Sequence, residues 1–185
     1  PEVAHETDPK DWNRTLLHYA ARSRSKEFCK LLFQQNPEAV KITDAMGWLP
    51  FHTFWFYGEH GEKRIETIEY LYELYPESMD IADFQGNCPI HLYITRHSSW
   101  TFELLQFLLV HDRGALSKPD SFGLLPLHNM VSQRRNNTLD SIQLVYNAYP
   151  DAIYVKCRGA TPWEFARFIG GPQRHMLFFT SQLDF

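Results

Sequence analysis

Apolar residues recur at three- and four-residue steps in several stretches of this chain, with polar or glycine-containing segments between them. The clearest of these stretches cover residues 27–34, 65–75, 102–110 and 139–149. Such spacing is typical of helices with one apolar face, so each stretch predicts a helix. Pro37, Pro76 and Pro150 follow three of the stretches. We expect them to end those helices, because proline cannot continue the helical hydrogen-bond ladder.

A shorter helix is predicted ahead of each long one, because a related tetrapeptide recurs there. Its copies are residues 15–18 (TLLH), 49–52 (LPFH), 88–91 (CPIH), 125–128 (LPLH) and 161–164 (TPWE). The last residues of successive copies are 34, 39, 37 and 36 positions apart. A spacing held through five copies indicates a repeat protein.

A turn is predicted directly before the second, third and fourth copies. Aspartate stands first and glycine fourth in these turns, as Asp44 with Gly47, Asp83 with Gly86, and Asp120 with Gly123. These are the residues that a type I turn prefers at those positions. The proline three residues after each glycine suits the first position of a helix. Each unit therefore reads as a turn, a short helix and a longer helix.

Composition adds limits on the class of protein. The 185 residues are 44% hydrophobic and 15% aromatic, which is enough to form a folded core. The net charge of -4 gives no indication of a basic surface that would bind nucleic acid. No apolar run approaches the roughly 18 residues of a membrane span. Cys29, Cys88 and Cys157 fit no metal-ligand spacing and leave an odd thiol, which favours a reducing intracellular compartment. Nothing in the sequence chooses among cytoplasm, nucleus and organelle.

Taken together, the Asp-x-x-Gly turn and the Pro-x-His start of the helix resemble the ankyrin repeat, here in a divergent variant with long units. The resemblance implies an all-α solenoid of β-turns and antiparallel helix pairs, forming a single domain over residues 1–185. Its five units would cover about residues 10–43, 44–82, 83–119, 120–155 and 156–185. The threonine with which this family caps the short helix is replaced by Leu49, Cys88 and Leu125. What satisfies those helix starts is an open question at this level.

The four tetrapeptide histidines, His18, His52, His91 and His128, are the first candidates for chemistry. Equivalent positions of stacked helices lie about 8 to 10 Å apart, whereas zinc binds nitrogen at about 2 Å, so they cannot share one metal ion. We therefore expect structural histidines that tie each helix start to neighbouring turn backbone and stay neutral at pH 7. No phosphate loop, nucleophile elbow or metalloprotease motif is present in the sequence. The prediction is a protein with no enzymatic activity, catalytic residue, cofactor or metal.

Binding of a protein partner is the function that the resemblance implies, through the concave surface and the turn tips. Carried over position by position, the partner-binding residues would be Trp12, Arg14, Arg22, Met46, Trp48, Phe56, Tyr57, Phe84, Gln85, Asn87, Arg96, Phe122, Leu124 and Gln133. Trp48, Phe56, Tyr57, Phe84 and Phe122 would be the central anchors, because aromatic side chains dominate interface energetics. The alternative for Trp48 and Phe56 is that they cover their own helices.

The last unit is rich in phenylalanine, at Phe165, Phe168, Phe178 and Phe179. Because terminal repeats need polar outer faces, this predicts docking within a larger assembly or further repeats after residue 185. We therefore expect a non-enzymatic interaction module or scaffold subunit. The alternative is a regulatory or interaction domain cut from a larger enzyme or membrane protein.

Overall fold

The computed structural model describes residues 6–23, 25–57, 64–96, 101–111, 114–132 and 138–168. The chain separates into two compact halves, residues 1–97 (the first half) and residues 98–185 (the second half), and each is described by itself. The described part of both halves is built mainly from short helices joined by turns, with one small hairpin. This confirms the predicted all-α class.

The first half begins with an antiparallel hairpin of strands β1 (Thr7–Asp8) and β2 (Arg14–Thr15). Three short inner helices follow at intervals, α1 (Leu16–Ser23), α3 (Pro50–Phe56) and α5 (Pro89–Arg96). Two outer helices alternate with them, α2 (Lys26–Gln35) and α4 (Arg64–Leu74). Inner helix packs on inner helix, α1 against α3 and α3 against α5, and α2 packs against α4.

In the second half, outer and inner helices alternate in the same way. Its outer helices are α6 (Phe102–His111) and α8 (Leu139–Ala148), and its inner helices are α7 (Pro126–Ser132) and α9 (Pro162–Phe168). Helix α7 packs against α9, and α6 packs against α8. The alternation of short and long helices is therefore the one that the apolar pattern predicts.

The outer helices begin and end where local chemistry dictates. Ser25 and Thr138 cap α2 and α8, each accepting a hydrogen bond at its hydroxyl from a backbone N–H three residues later, at 3.2 Å. Proline ends α2, α4 and α8 as predicted. Short 3-10 turns follow the outer helices at Pro37–Lys41, Pro76–Met79, Ala115–Ser117 and Pro150–Tyr154.

Large side chains fill the interface between α3 and α5. Trp55 is 1% exposed and meets the ring of Tyr93 edge to face, with 5.7 Å between ring centroids. Phe54 lies against the same indole at 5.2 Å. Rings in such contact add to the stability that burial alone provides, so this core fixes the spacing of the two inner helices.

Candidate functional site

The tetrapeptide histidines lie at the start of the inner helices and are completely buried. In His18, His52 and His91, Nδ1 accepts a hydrogen bond from the backbone N–H three residues earlier, at 3.1, 3.1 and 3.2 Å. The donors for His52 and His91 are Leu49 and Cys88, two of the residues that replace the capping threonine. The histidine itself therefore satisfies one N–H group of these helix starts, without any capping hydroxyl.

The opposite nitrogen of three of these rings reaches backbone that lies in or just before the next turn along the chain. His18 Nε2 lies 2.8 Å from the carbonyl oxygen of Trp48, and His52 Nε2 lies 2.9 Å from that of Ile81. His128 Nε2 makes the same kind of contact with Ala160, at 3.3 Å. Because a carbonyl can only accept, Nε2 donates in each case, and the histidine ties the start of its helix to backbone 29 to 32 residues later.

These contacts require a neutral ring in His18 and His52. Nδ1 must offer a lone pair to a backbone N–H while Nε2 carries the hydrogen, and an imidazolium has no lone pair to offer. Burial lowers the pKa of His18 to about 4, and it also lowers the pKa of His52 and His128. The arrangement suits a structural connector. In the described ranges, no three His, Cys, Asp or Glu side chains are grouped to hold a metal ion.

Cysteine chemistry is also disfavoured in the described structure. Cys29, Cys88 and Cys157 are free and buried. Burial raises the pKa of the Cys29 thiol to about 12 and raises that of Cys157 as well. Because the thiolate is the reactive form, these two cysteines have the properties of packing residues.

The turns before the inner helices are built around the predicted aspartates. Asp44 Oδ1 accepts backbone N–H bonds from Met46 at 2.8 Å and Trp48 at 2.9 Å, and Gly47 has a φ of +78°. Asp83 and Asp120 each accept the same pair of backbone bonds in their own turns, at 2.8 to 2.9 Å. The aspartate thus fixes the backbone of each turn.

Three of the predicted binding residues present large rings at turn tips. Trp12 is 55% exposed, Phe84 is 76% exposed and Phe122 is 59% exposed. Trp12 and Phe122 stand six positions before their histidines, and Phe84 stands seven before His91. Exposed rings at recurring positions are what the binding hypothesis requires.

Backbone hydrogen bonds join successive turn tips in the first half, residues 1–97. Ala45 N–H donates to the carbonyl of Trp12 at 2.7 Å, and Phe84 N–H donates to the carbonyl of Met46 at 3.1 Å. Trp12 has a φ of +59°, a left-handed conformation that costs a residue with a Cβ about 1 to 2 kcal/mol. The bond from Ala45 helps to offset that cost and holds the Trp12 ring at the tip.

Two residues of the predicted surface are not exposed, which corrects the sequence-based placement. Trp48 is 4% exposed, and its indole Nε1 donates to Asp83 Oδ2 at 2.9 Å. Arg14 is 3% exposed, and its Nε donates to Asp44 Oδ2 at 3.1 Å. Both side chains find acceptors on turn aspartates, so burial costs them no unpaired polar group. As they stand in this structure, they support the surface from beneath.

The rings beside Trp48 form the middle of the candidate surface. Phe56 packs on the Trp48 indole with 4.0 Å between centroids, and Phe56 and Tyr57 are both half-buried. The guanidinium of Arg14 lies 5.1 Å from the Tyr57 ring centroid, and that of the exposed Arg22 lies 4.5 Å from it. Tyr57 is therefore held between two cations, of which only Arg22 reaches solvent.

The remaining predicted residues are placed as follows. Gln85 is exposed, whereas Met46, Asn87 and Leu124 are half-buried. Asn87 Nδ2 donates to the Asp83 carboxylate at 3.1 Å, so it serves its own turn as well. Gln133 and the side chain of Arg96 lie outside the described residues.

Helix α9 lines a cleft that the sequence did not predict. A cleft of about 710 Å³ is lined there by Arg158, Gly159, Ala160, Trp163, Glu164, Phe165, Arg167 and Phe168. The signal in the sequence was the spacing of Trp163 and Arg167, which are four residues apart and so share one face of a helix. Phe168, which the sequence did point to, is 94% exposed.

The comparison with protein families bears on the first repeat. Residues 12–42 match the family model for the ankyrin repeat. The chain carries an ankyrin repeat. The mostly helical structure is consistent with an ankyrin-repeat all-α fold, and the ankyrin repeat is in general a module of protein–protein interaction. A search of curated proteins found no significant match to the chain.

No described helix is long and apolar enough to span a bilayer.

Proposed function

We propose that this ankyrin-repeat chain is a non-enzymatic protein-binding module that captures a protein partner at its turn tips and inner helices. The observation that carries the proposal is the set of exposed rings, Trp12, Phe84 and Phe122, held at turn tips by a fixed backbone. Exposed apolar surface of this kind often marks a site of protein interaction, and aromatic side chains are enriched at such sites. Rigid presentation also reduces the entropy that binding must overcome.

The proposed surface has anchors and a support. Phe122 is the anchor within residues 98–185, and Phe84 is the anchor within residues 1–97, where Trp12, Arg22, Phe56 and Tyr57 belong to the same proposed surface. Trp48 and Arg14 lie beneath and hold Phe56 and Tyr57 in place. Aromatic and arginine side chains are the ones that most often contribute the largest share of interface energy.

Three further parts of the proposal rest on the sequence together with this placement. The five units over residues 1–185 act as one repeat domain. The C-terminal unit provides a second docking face through α9, which places the protein in a larger assembly as a scaffold subunit. The protein works in a reducing compartment, because its three cysteines are free and buried.

Replacing Phe84 and Phe122 by alanine tests the turn-tip surface. We expect the double variant to lose the partner proteins that immobilised wild-type protein captures from its source cells. Each truncation should weaken binding about tenfold or more, because an interface anchor contributes about 1 to 2 kcal/mol or more. Quantitative mass spectrometry of the captured proteins is the measurement.

Leu31→Ala is the matched control, since Leu31 is 54% exposed but lies on the outer helix α2. It should keep the captured set while the double variant loses it, with unchanged circular-dichroism spectra for both. Equal capture by the double variant and the wild type would show that the turn tips are not the binding surface.

A further inference from the structure

The α9 cleft combines apolar walls with unpaired positive charge. Phe168 is 94% exposed, and Trp163 and Phe165 are half-buried around the same concave face. Its volume of about 710 Å³ is within the range of sites that hold a few side chains of a ligand. An apolar face of this shape is best covered by a bulky apolar group.

Two arginines on this face are positioned by aromatic rings. The Arg167 guanidinium lies 5.4 Å from the ring centroid of Trp163, and that of Arg158 lies 5.3 Å from the ring centroid of Phe122. Arg158 Nε also donates to the carbonyl of Phe122 at 2.6 Å. Both side chains are exposed, and the ion pairs found among the described residues include neither of them.

A third donor lies in the wall of the cleft. Trp163 Nε1 is buried and has no acceptor among the described residues. Against these donors stands one acid, Glu164, which takes the place of the histidine in this unit. Its Oε2 already accepts the backbone N–H of Thr161 at 2.7 Å. Among the described residues, the face therefore has two arginines that form no ion pair and one carboxylate that is engaged in a helix cap.

Glu164 also changes what this face offers to a neighbour. In three other repeats, His18, His52 and His128 donate from Nε2 to a carbonyl in or just before the next turn along the chain. A carboxylate cannot donate in that way. At α9 the position of that donor is therefore held by an acceptor, and the charged donors that the described residues offer on this face are the arginines, which favour an anion.

We infer that the α9 cleft binds a peptide segment of a partner protein in which an acidic side chain neighbours a bulky apolar one. The apolar side chain lies against Trp163 and Phe168, and the carboxylate pairs with Arg167 and Arg158. The planar guanidinium suits a carboxylate because it can donate two parallel hydrogen bonds. This inference rests on the part of the proposed function that assigns docking to the C-terminal unit.

Two short peptides of matched length test the inference on the whole chain. One carries phenylalanine between two aspartates, and the other carries phenylalanine between two asparagines, with both ends blocked. The readout is the indole N–H resonance of Trp163 in nitrogen-15 spectra, identified by its loss in Trp163→Phe. We expect the acidic peptide to shift this resonance and to bind at least tenfold more tightly than the asparagine peptide.

Charge variants locate the effect. Arg167→Gln should weaken the acidic peptide at least threefold and leave the asparagine peptide unchanged, whereas Arg167→Lys should retain part of the preference. Lys30→Gln removes one positive charge from an exposed side chain of the outer helix α2 and should change neither affinity.

The outcomes separate the inference from the proposed function. Equal affinity for both peptides with a shifted Trp163 resonance would overturn the acidic preference and leave docking at the C-terminal unit in place. No shift with either peptide would overturn both. Neither result would affect the turn-tip surface, which the Phe84 and Phe122 variants test.

Discussion

Mild acid should destabilise this protein through its buried histidines. His18 accepts a backbone N–H at Nδ1 and donates to the carbonyl of Trp48 from Nε2, so it is bonded on both sides as a neutral ring. Asp44 and Arg14 lie near enough to influence it with opposite signs, but burial dominates and lowers its pKa to about 4. In the unfolded chain the ring has its ordinary pKa of about 6.5.

The sign and size of the effect follow from those two values. Between pH 6.5 and 4 the unfolded chain binds a proton at His18 and the folded chain does not, so acid favours unfolding over this range. From pH 7 to pH 5 the free energy of unfolding should fall by about 2 kcal/mol for His18 alone. His52 and His128 act in the same direction, because burial lowers their pKa values too.

Urea unfolding at pH 7 and pH 5 measures this loss, and stopping at pH 5 keeps most carboxylates ionised. The matched variant is His18→Gln, whose amide oxygen can accept the same backbone N–H without titrating. We expect it to be less stable than the wild type at pH 7 but to lose about 2 kcal/mol less between the two pH values. A wild type equally stable at both, or a variant with the full loss, would refute the neutral, doubly bonded ring.

Four further substitutions, compared in two pairs, test the turns and the aromatic side chains in them. Gly47→Ala would place its Cβ 2.8 Å from the backbone nitrogen of Phe84 at a φ of +78°, whereas Gly123→Ala, at +75°, meets no atom within 4 Å. By thermal or chemical unfolding, we expect the first to cost at least about 1 kcal/mol more than the second, and equal losses would contradict the close stacking of the turns. Trp48→Ala should cost about 3 to 5 kcal/mol, because it empties a buried site and removes a donor to Asp83. Phe84→Ala should cost under about 1 kcal/mol, since that ring is 76% exposed, and a similar loss for both would place Phe84 in the core.

The histidines show how far reasoning from the sequence reaches. Their spacing excluded a shared metal site and assigned them to the helix starts, and the structure has them there with the expected bonds to neighbouring turn backbone. The sequence did not reveal that Nδ1 of the same ring accepts the N–H of Leu49 or Cys88. That bond depends on the ring rotamer inside a packed repeat, which residue types alone do not specify.

Trp48 and Phe84 separate what the chain pattern decides from what packing decides. Both are large aromatic residues in aspartate–glycine turns, Trp48 directly after the glycine and Phe84 directly after the aspartate, and the sequence predicted both as anchors. In the structure Trp48 turns inward because Asp83, thirty-five residues later, offers an acceptor and Phe56 offers a ring to pack on. Phe84 finds no such cover and remains exposed.

Local order was therefore determined by the sequence itself: the helix limits, the aspartate–glycine turns, the prolines that end outer helices and the repeat period all follow from short-range chemistry. The tertiary structure alone decided which side chains reach solvent, because exposure depends on contacts between residues thirty or more positions apart. It also decided that Arg158 and Arg167 meet aromatic rings beside one cleft. Stacking of units, which brings distant turns together, is the physical reason for the difference.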